Sequence, residues 1–109
     1  MTKIDVSSSY VFGNCRDGFN HFGKLFINGS LVAESKCHYI NRTWEVYNGQ
    51  SARKLACWNW MECRKENTKD AIKERLGLKR ATPKVKALLE EELNNDAEFN
   101  AVKKHYEEL

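Results

Sequence analysis

Lys24-Leu25-Phe26-Ile27-Asn28-Gly29-Ser30-Leu31-Val32-Ala33 is the stretch that decides the fold. Two apolar arms flank Asn28-Gly29, and an Asn-Gly pair tolerates the positive φ angles that a tight primed turn needs. The pattern predicts a β-hairpin whose second arm continues through Cys37-His38-Tyr39-Ile40. Upstream, Tyr10-Val11-Phe12 reads as a strand ending at Gly13, followed by a loop through Cys15, Gly18 and His21. Downstream, a turn at Asn41-Arg42 leads into a further strand over 43–47. Residues 1–50 thus read as an antiparallel β-meander of three to four strands.

From residue 51 the apolar spacing changes to that of helices. A first helix starts at Gln50 or Ser51 and runs to about residue 64. Its apolar residues surround most of the circumference, as in a helix clamped between a sheet and other helices. Asn67 or Thr68 is the expected cap of a second helical segment, with Ile72 and Leu76 inward and Gly77 as its stop. Thr82-Pro83 starts the next, because proline at the first helical position forfeits no hydrogen bond; Val85, Leu88, Leu89 and Leu93 face inward. Asn95 with Glu98 resembles a capping box for a last helix carrying Phe99, Val102 and Tyr106. The expected fold is α+β: a single small domain over 1–109, with the sheet in 1–50 and three to four helices in 51–109.

At 109 residues and 41% hydrophobic content the chain supports one modest core. No apolar run approaches the length of a membrane span. The N-terminal residues lack the pattern of a signal peptide, so a cytosolic protein with reduced cysteines is expected. Net charge is +3, unevenly spread. Residues 51–86 carry eleven positive and four negative side chains, whereas residues 87–109 carry two positive and seven negative. These blocks are either solvated faces, paired within the molecule, or an electrostatic surface for a charged partner.

Cys15, Cys37, Cys57 and Cys63 would suffice for a closed structural zinc site, with His21 or His38 as substitutes. A small domain gains much from such a staple. The spacings contain no Cys-x-x-Cys pair, and Cys57 and Cys63 lie about 120° apart on an ideal helix. Small buried thiols are the alternative reading. Cys37 and His38 are adjacent on a strand and point to opposite faces, so they do not form a nucleophile–base pair. Cys15 with His21 lacks any recognisable orienting or oxyanion group. Gly13, Gly18 and Gly23 form no phosphate loop, and the carboxylates of Glu90-Glu91-Glu92 and Glu107-Glu108 look solvent-facing. An enzyme is not expected. Lys73, Arg75, Lys79, Arg80, Lys84 and Lys86 are the candidates for a nucleic-acid surface, with Glu62, Glu66, Asp70 and Glu74 interrupting the block. Trp44, Trp58 and Trp60 are expected in the core, and Arg42 with Glu45 as a pair at the strand-to-helix corner.

Tyr39-Ile40-Asn41-Arg42-Thr43-Trp44-Glu45, with Gln50-Ser51 and the Trp-rich helix after it, resembles a segment of small phage and prophage proteins of Gram-positive bacteria. The resemblance covers roughly residues 22–60. It implies a phage protein acting in the host bacterial cytoplasm by binding a host machine. In size and charge layout the chain also resembles the anti-CRISPR proteins that inhibit type II nucleases. That resemblance implies an inhibitor that binds a host CRISPR effector nuclease and blocks target-DNA binding or cleavage. The acidic block would then cover a basic channel, or the basic middle would dock on an acidic lobe. The competing expectation is a phage nucleic-acid-binding or transcription-modulating protein that uses residues 73–86.

Overall fold

The computed structural model describes residues 3–15, 18–38 and 49–109, with side chains described outside 12–21 and 36–51. Three strands, β1 (Val6–Cys15), β2 (Gly18–Ile27) and β3 (Ser30–His38), are followed by α1 (Gly49–Leu76), α2 (Pro83–Asn94) and α3 (Ala97–Glu108). The strands form one antiparallel sheet in the order β1-β2-β3. The fold is α+β, as the sequence predicts.

The hairpin turn is the one that Asn28-Gly29 encodes. Both residues take positive φ, 51° and 82°, and Ile27 pairs with Ser30 across them. Asn28 also ties the turn to the chain before β1: its N–H donates to the Asp5 carbonyl at 2.7 Å, and its Oδ1 accepts from the Asp5 N–H at 2.9 Å. A register shift between Leu25 and Phe26 follows at once: Leu25 pairs with Ala33 but Phe26 with Leu31, leaving Val32 as the extra residue of a bulge. Two expectations are corrected here. The predicted stop at Gly13 and the loop through Cys15, Gly18 and His21 are strand: β1 continues to Cys15 and β2 begins at Gly18, pairing along the whole of that length. The strand expected over 43–47 and the Arg42–Glu45 pair lie outside the described residues.

Alternation along β2 sets one face of the sheet toward the helices. Gly23, Leu25 and Ile27 are buried while Phe22, Lys24 and Phe26 between them are half-buried. Ala56, Cys57 and Met61 of α1 and Phe99 and Val102 of α3 close the core over Leu25 and Ile27. Gly23 sets how closely α1 approaches: a Cβ there would lie 2.1 Å from the Ala52 carbonyl oxygen. Ser35, the cross-strand partner of Gly23, donates its hydroxyl to that same carbonyl at 2.5 Å.

The expected break near 67–68 does not exist. Helix α1 runs unbroken for 28 residues, and the Thr68 hydroxyl donates back to the Arg64 carbonyl at 2.8 Å instead of capping a new helix. It ends where the sequence says. Gly77 takes φ +69°, its N–H reaches the Glu74 carbonyl, and the Leu78 N–H reaches Lys73, the paired bonds of a Schellman stop. Thr82 caps α2 by accepting from the Val85 N–H at 3.3 Å, with Pro83 at the first helical position. The cap of α3 is one residue later than expected. Asp96, not Asn95, accepts from the Phe99 N–H at 3.1 Å, while Asn95 closes the end of α2 through its own N–H. Glu98 turns to Arg64, whose Nε also lies 2.9 Å from Asp96 Oδ2.

Candidate partner-binding groove

Trp58 is the residue that departs furthest from expectation. It sits in the middle of α1 yet is 47% exposed, although a tryptophan in a helix of this domain was expected in the core. The reason lies in the wheel. Ala52, Ala56, Cys57 and Met61 occupy the side against the sheet, and a helix with apolar groups nearly all round cannot bury every one of them against a three-stranded sheet. Trp60 is half-buried and lies under the Arg64 guanidinium, 4.9 Å from its ring centroid. Trp44 lies outside the described residues.

Around Trp58 the three helices leave a groove of about 380 Å³. Its floor is apolar, with Met61, Phe99 and Leu93 buried or half-buried. Its rim is charged: Lys65 from α1, Glu90 from α2, Lys103 and Glu107 from α3. Tyr106 of α3 stands beside Trp58 with ring centroids 6.4 Å apart and planes inclined by 43°. Lys65 Nζ lies 5.6 Å from the Trp58 ring, and Lys54 Nζ lies 5.9 Å from that of Tyr106. Each such contact is worth about 0.5–1 kcal/mol at an exposed site. An apolar floor, two partly exposed aromatic rings and a charged rim are the make-up of a protein-interface hot spot.

The two cysteines with described side chains differ in setting. Cys57 is fully buried in the core, and burial pushes its thiol up to about 11, which keeps it protonated. Cys63 is exposed, with Asn67 Nδ2 3.7 Å from its sulfur. The two stand on different faces of α1. Cys15, Cys37, His21 and His38 all lie on strands: His21 pairs with Cys37, Cys15 with Gly18, and His38 with Asn20. Their side chains are outside the description. Among the described residues no group of three or more His, Cys, Asp or Glu comes together around a metal position.

No protein-family model, curated protein or solved structure matches this chain.

One polar junction was invisible in the sequence. Ser8 of β1 and His105 of α3 are 97 positions apart, yet Ser8 Oγ lies 2.7 Å from His105 Nε2. Arg53 Nε donates to the same hydroxyl at 3.2 Å. Burial, then the Arg53 charge, lowers the imidazole below its ordinary pKa, with Glu108 opposing. A general base must become imidazolium as it takes the serine proton, and a guanidinium beside it disfavours that form. The arrangement is therefore suited to strapping β1 to both helices and ill suited to activating Ser8.

The two charge blocks also divide. Within the acidic block Glu92 is held by Arg75 at 3.0 Å and Glu98 by Arg64, whereas Glu90 and Glu91 make no ion pair among the described residues. In the basic block Lys73 meets Asp70 at 3.5 Å. Lys79, Arg80, Lys84 and Lys86 are exposed and pair with no described carboxylate. No helix among the described residues is long and apolar enough to cross a membrane.

Proposed function

We propose that this protein is a stoichiometric inhibitor that binds a host type II RNA-guided nuclease in the bacterial cytoplasm and blocks target-DNA binding or cleavage. The groove around Trp58 and Tyr106 is its principal contact. The observation that carries the binding reading is the exposure of Trp58 over an apolar floor. A large aromatic side chain left half exposed presents apolar surface that a partner would bury, at about 25 cal/mol per Å². The nuclease as partner rests on the likeness of Tyr39-Ile40-Asn41-Arg42-Thr43-Trp44-Glu45 to phage and prophage proteins and on the likeness in size and charge layout to inhibitors of that enzyme.

The charged rim suits such a contact. Lys65, Lys103, Glu90 and Glu107 can pair with a partner at the edge of the groove while the aromatic centre is desolvated, which favours fast, salt-sensitive association. Glu90 and Glu91, exposed and without an ion pair among the described residues, are available to cover a basic channel.

The test is cleavage of target DNA by a guide-loaded type II nuclease, titrated with the protein. Cleavage is expected to fall away near an equimolar ratio. Trp58→Ala is expected to weaken inhibition by roughly 30-fold, the loss of about 2 kcal/mol typical of an aromatic hot spot. Wild-type protein that leaves cleavage untouched across several orthologous nucleases overturns the inhibitor reading. Full inhibition by the Trp58→Ala protein overturns the groove alone.

A further inference from the structure

The basic stretch of the chain divides at Gly77. On α1, every cation from Arg64 onward is neutralised: Arg64 by Asp96 and Glu98, Lys65 by Glu62, Lys69 by Glu66, Lys73 by Asp70 and Arg75 by Glu92. Past the Schellman stop the pattern ends. Lys79, Arg80, Lys84 and Lys86 follow within eight residues, all exposed and none ion-paired among the described residues.

We propose that this tip, the α1–α2 connection with the first turn of α2, is a binding surface for the phosphodiester backbone of duplex nucleic acid. It does not rest on the nuclease-inhibitor reading. The four cations lie within eight residues of one another, on the α1–α2 connection and the first turn of α2. Gly77 and Thr82 fix the two ends of the connection through their caps. Val85 is fully buried, so Lys84 and Lys86 emerge on either side of the start of α2. That helix end adds the positive pole of its dipole, and its first turn carries no carboxylate to offset it.

Crowding four unpaired cations raises the energy of the isolated chain by mutual repulsion, and a polyanion relieves this without breaking any internal ion pair. An acidic protein would meet the charge equally well but needs an apolar anchor for a specific contact. The only large hydrophobe exposed here is Leu78, at 36%. Phosphate contacts require no such anchor, and they carry no sequence information. The surface is therefore one for sequence-independent backbone binding.

The experiment is fluorescence anisotropy of a labelled duplex DNA with the full-length protein across a salt series. Four phosphates neutralised predict a log–log slope of about −3.6, which weakens affinity roughly 100-fold between about 50 mM and about 200 mM salt. The quadruple substitution Lys79→Gln, Arg80→Gln, Lys84→Gln and Lys86→Gln removes only exposed side chains. It is expected to flatten the slope and weaken low-salt binding by at least tenfold. Thermal melting by circular dichroism verifies that this variant is folded, and Lys3→Gln with Lys104→Gln, two exposed lysines elsewhere, is expected to leave binding unchanged. Wild-type protein that does not bind the duplex at low salt overturns the proposal. So does a folded quadruple variant that binds as tightly as wild type, or polyglutamate that competes as well as DNA at equal charge.

Discussion

Helix α1 is held in two different ways along its length. Over residues 49–61 it lies on the sheet, with the Ala52 carbonyl pressed over Gly23 and Ala56, Cys57 and Met61 in the main core. Over residues 65–76 its fully buried residue is Ile72, which lies outside that core cluster, as does Val85 of α2. The rest of that half is dressed with ion pairs, among them Lys65–Glu62, Lys69–Glu66 and Arg75–Glu92. The first half works by close approach of small residues and tolerates no added atom. The second depends on one buried aliphatic residue, Ile72, and on surface charge. Continuous helix does not mean uniform packing.

The sharpest way to break this comparison is at Gly23. Gly23→Ala forces a Cβ against a backbone carbonyl that cannot rotate away, so α1 must shift. A loss upward of about 3 kcal/mol is expected, read as a fall in the midpoint of thermal or denaturant unfolding. Near-wild-type stability would mean that α1 does not press on the sheet at Gly23. Ile72→Ala, in the other half, opens a cavity in a thinner layer and is expected to cost about 2–3 kcal/mol. If it costs more than Gly23→Ala, the ranking of the two halves is reversed.

The strap at the sheet end has its own signature. His105 has a folded-state pKa below its ordinary 6.5, so its neutral form is favoured by folding. Its contribution is fully present above about pH 6.5 and declines as pH falls from there through the folded pKa. Unfolding midpoints across that window are expected to drop in wild type and to drop less in His105→Gln. Equal pH dependence in both would remove His105 from the account. The smallest effect is expected at the far end of α1. Arg75 and Glu92 are 58% and 37% exposed, so Glu92→Gln should cost less than about 0.5 kcal/mol.

Trp58 shows how part of the site was legible and part was not. Its neighbours carried a signal: Lys54 and Lys65 stand four residues before it and seven after it, on the same side of the helix, and a side lined with lysine is a solvent side. Hydrophobicity alone pointed the other way. The second ring of the groove, Tyr106, comes from α3, and nothing in the spacing of either segment couples the two. The Ser8–His105 contact is legible nowhere in the sequence, since it depends on where α3 lands over β1. The separation of Cys57 and Cys63 was readable from the wheel, but which of them is buried depends on the direction of the sheet.

The sequence by itself determined the features that depend on a few adjacent residues: the Asn28-Gly29 turn, the stop at Gly77, the start at Thr82-Pro83 and the order of sheet before helices. Each is fixed by backbone φ preference or by a cap reached within a few positions, energies that do not wait for the rest of the chain. Tertiary structure decided the rest. Thr68 sits inside α1, where unbroken helix keeps Ile72 fully buried, and that burial outweighs the roughly 1 kcal/mol that a cap offers. The same competition brings Glu98 to Arg64 instead of to its own helix end, places Gly23 under Ala52 and leaves Trp58 outside. Close packing of one long helix on a narrow sheet assigns the inside to the smallest residues, and that outcome depends on both surfaces at once.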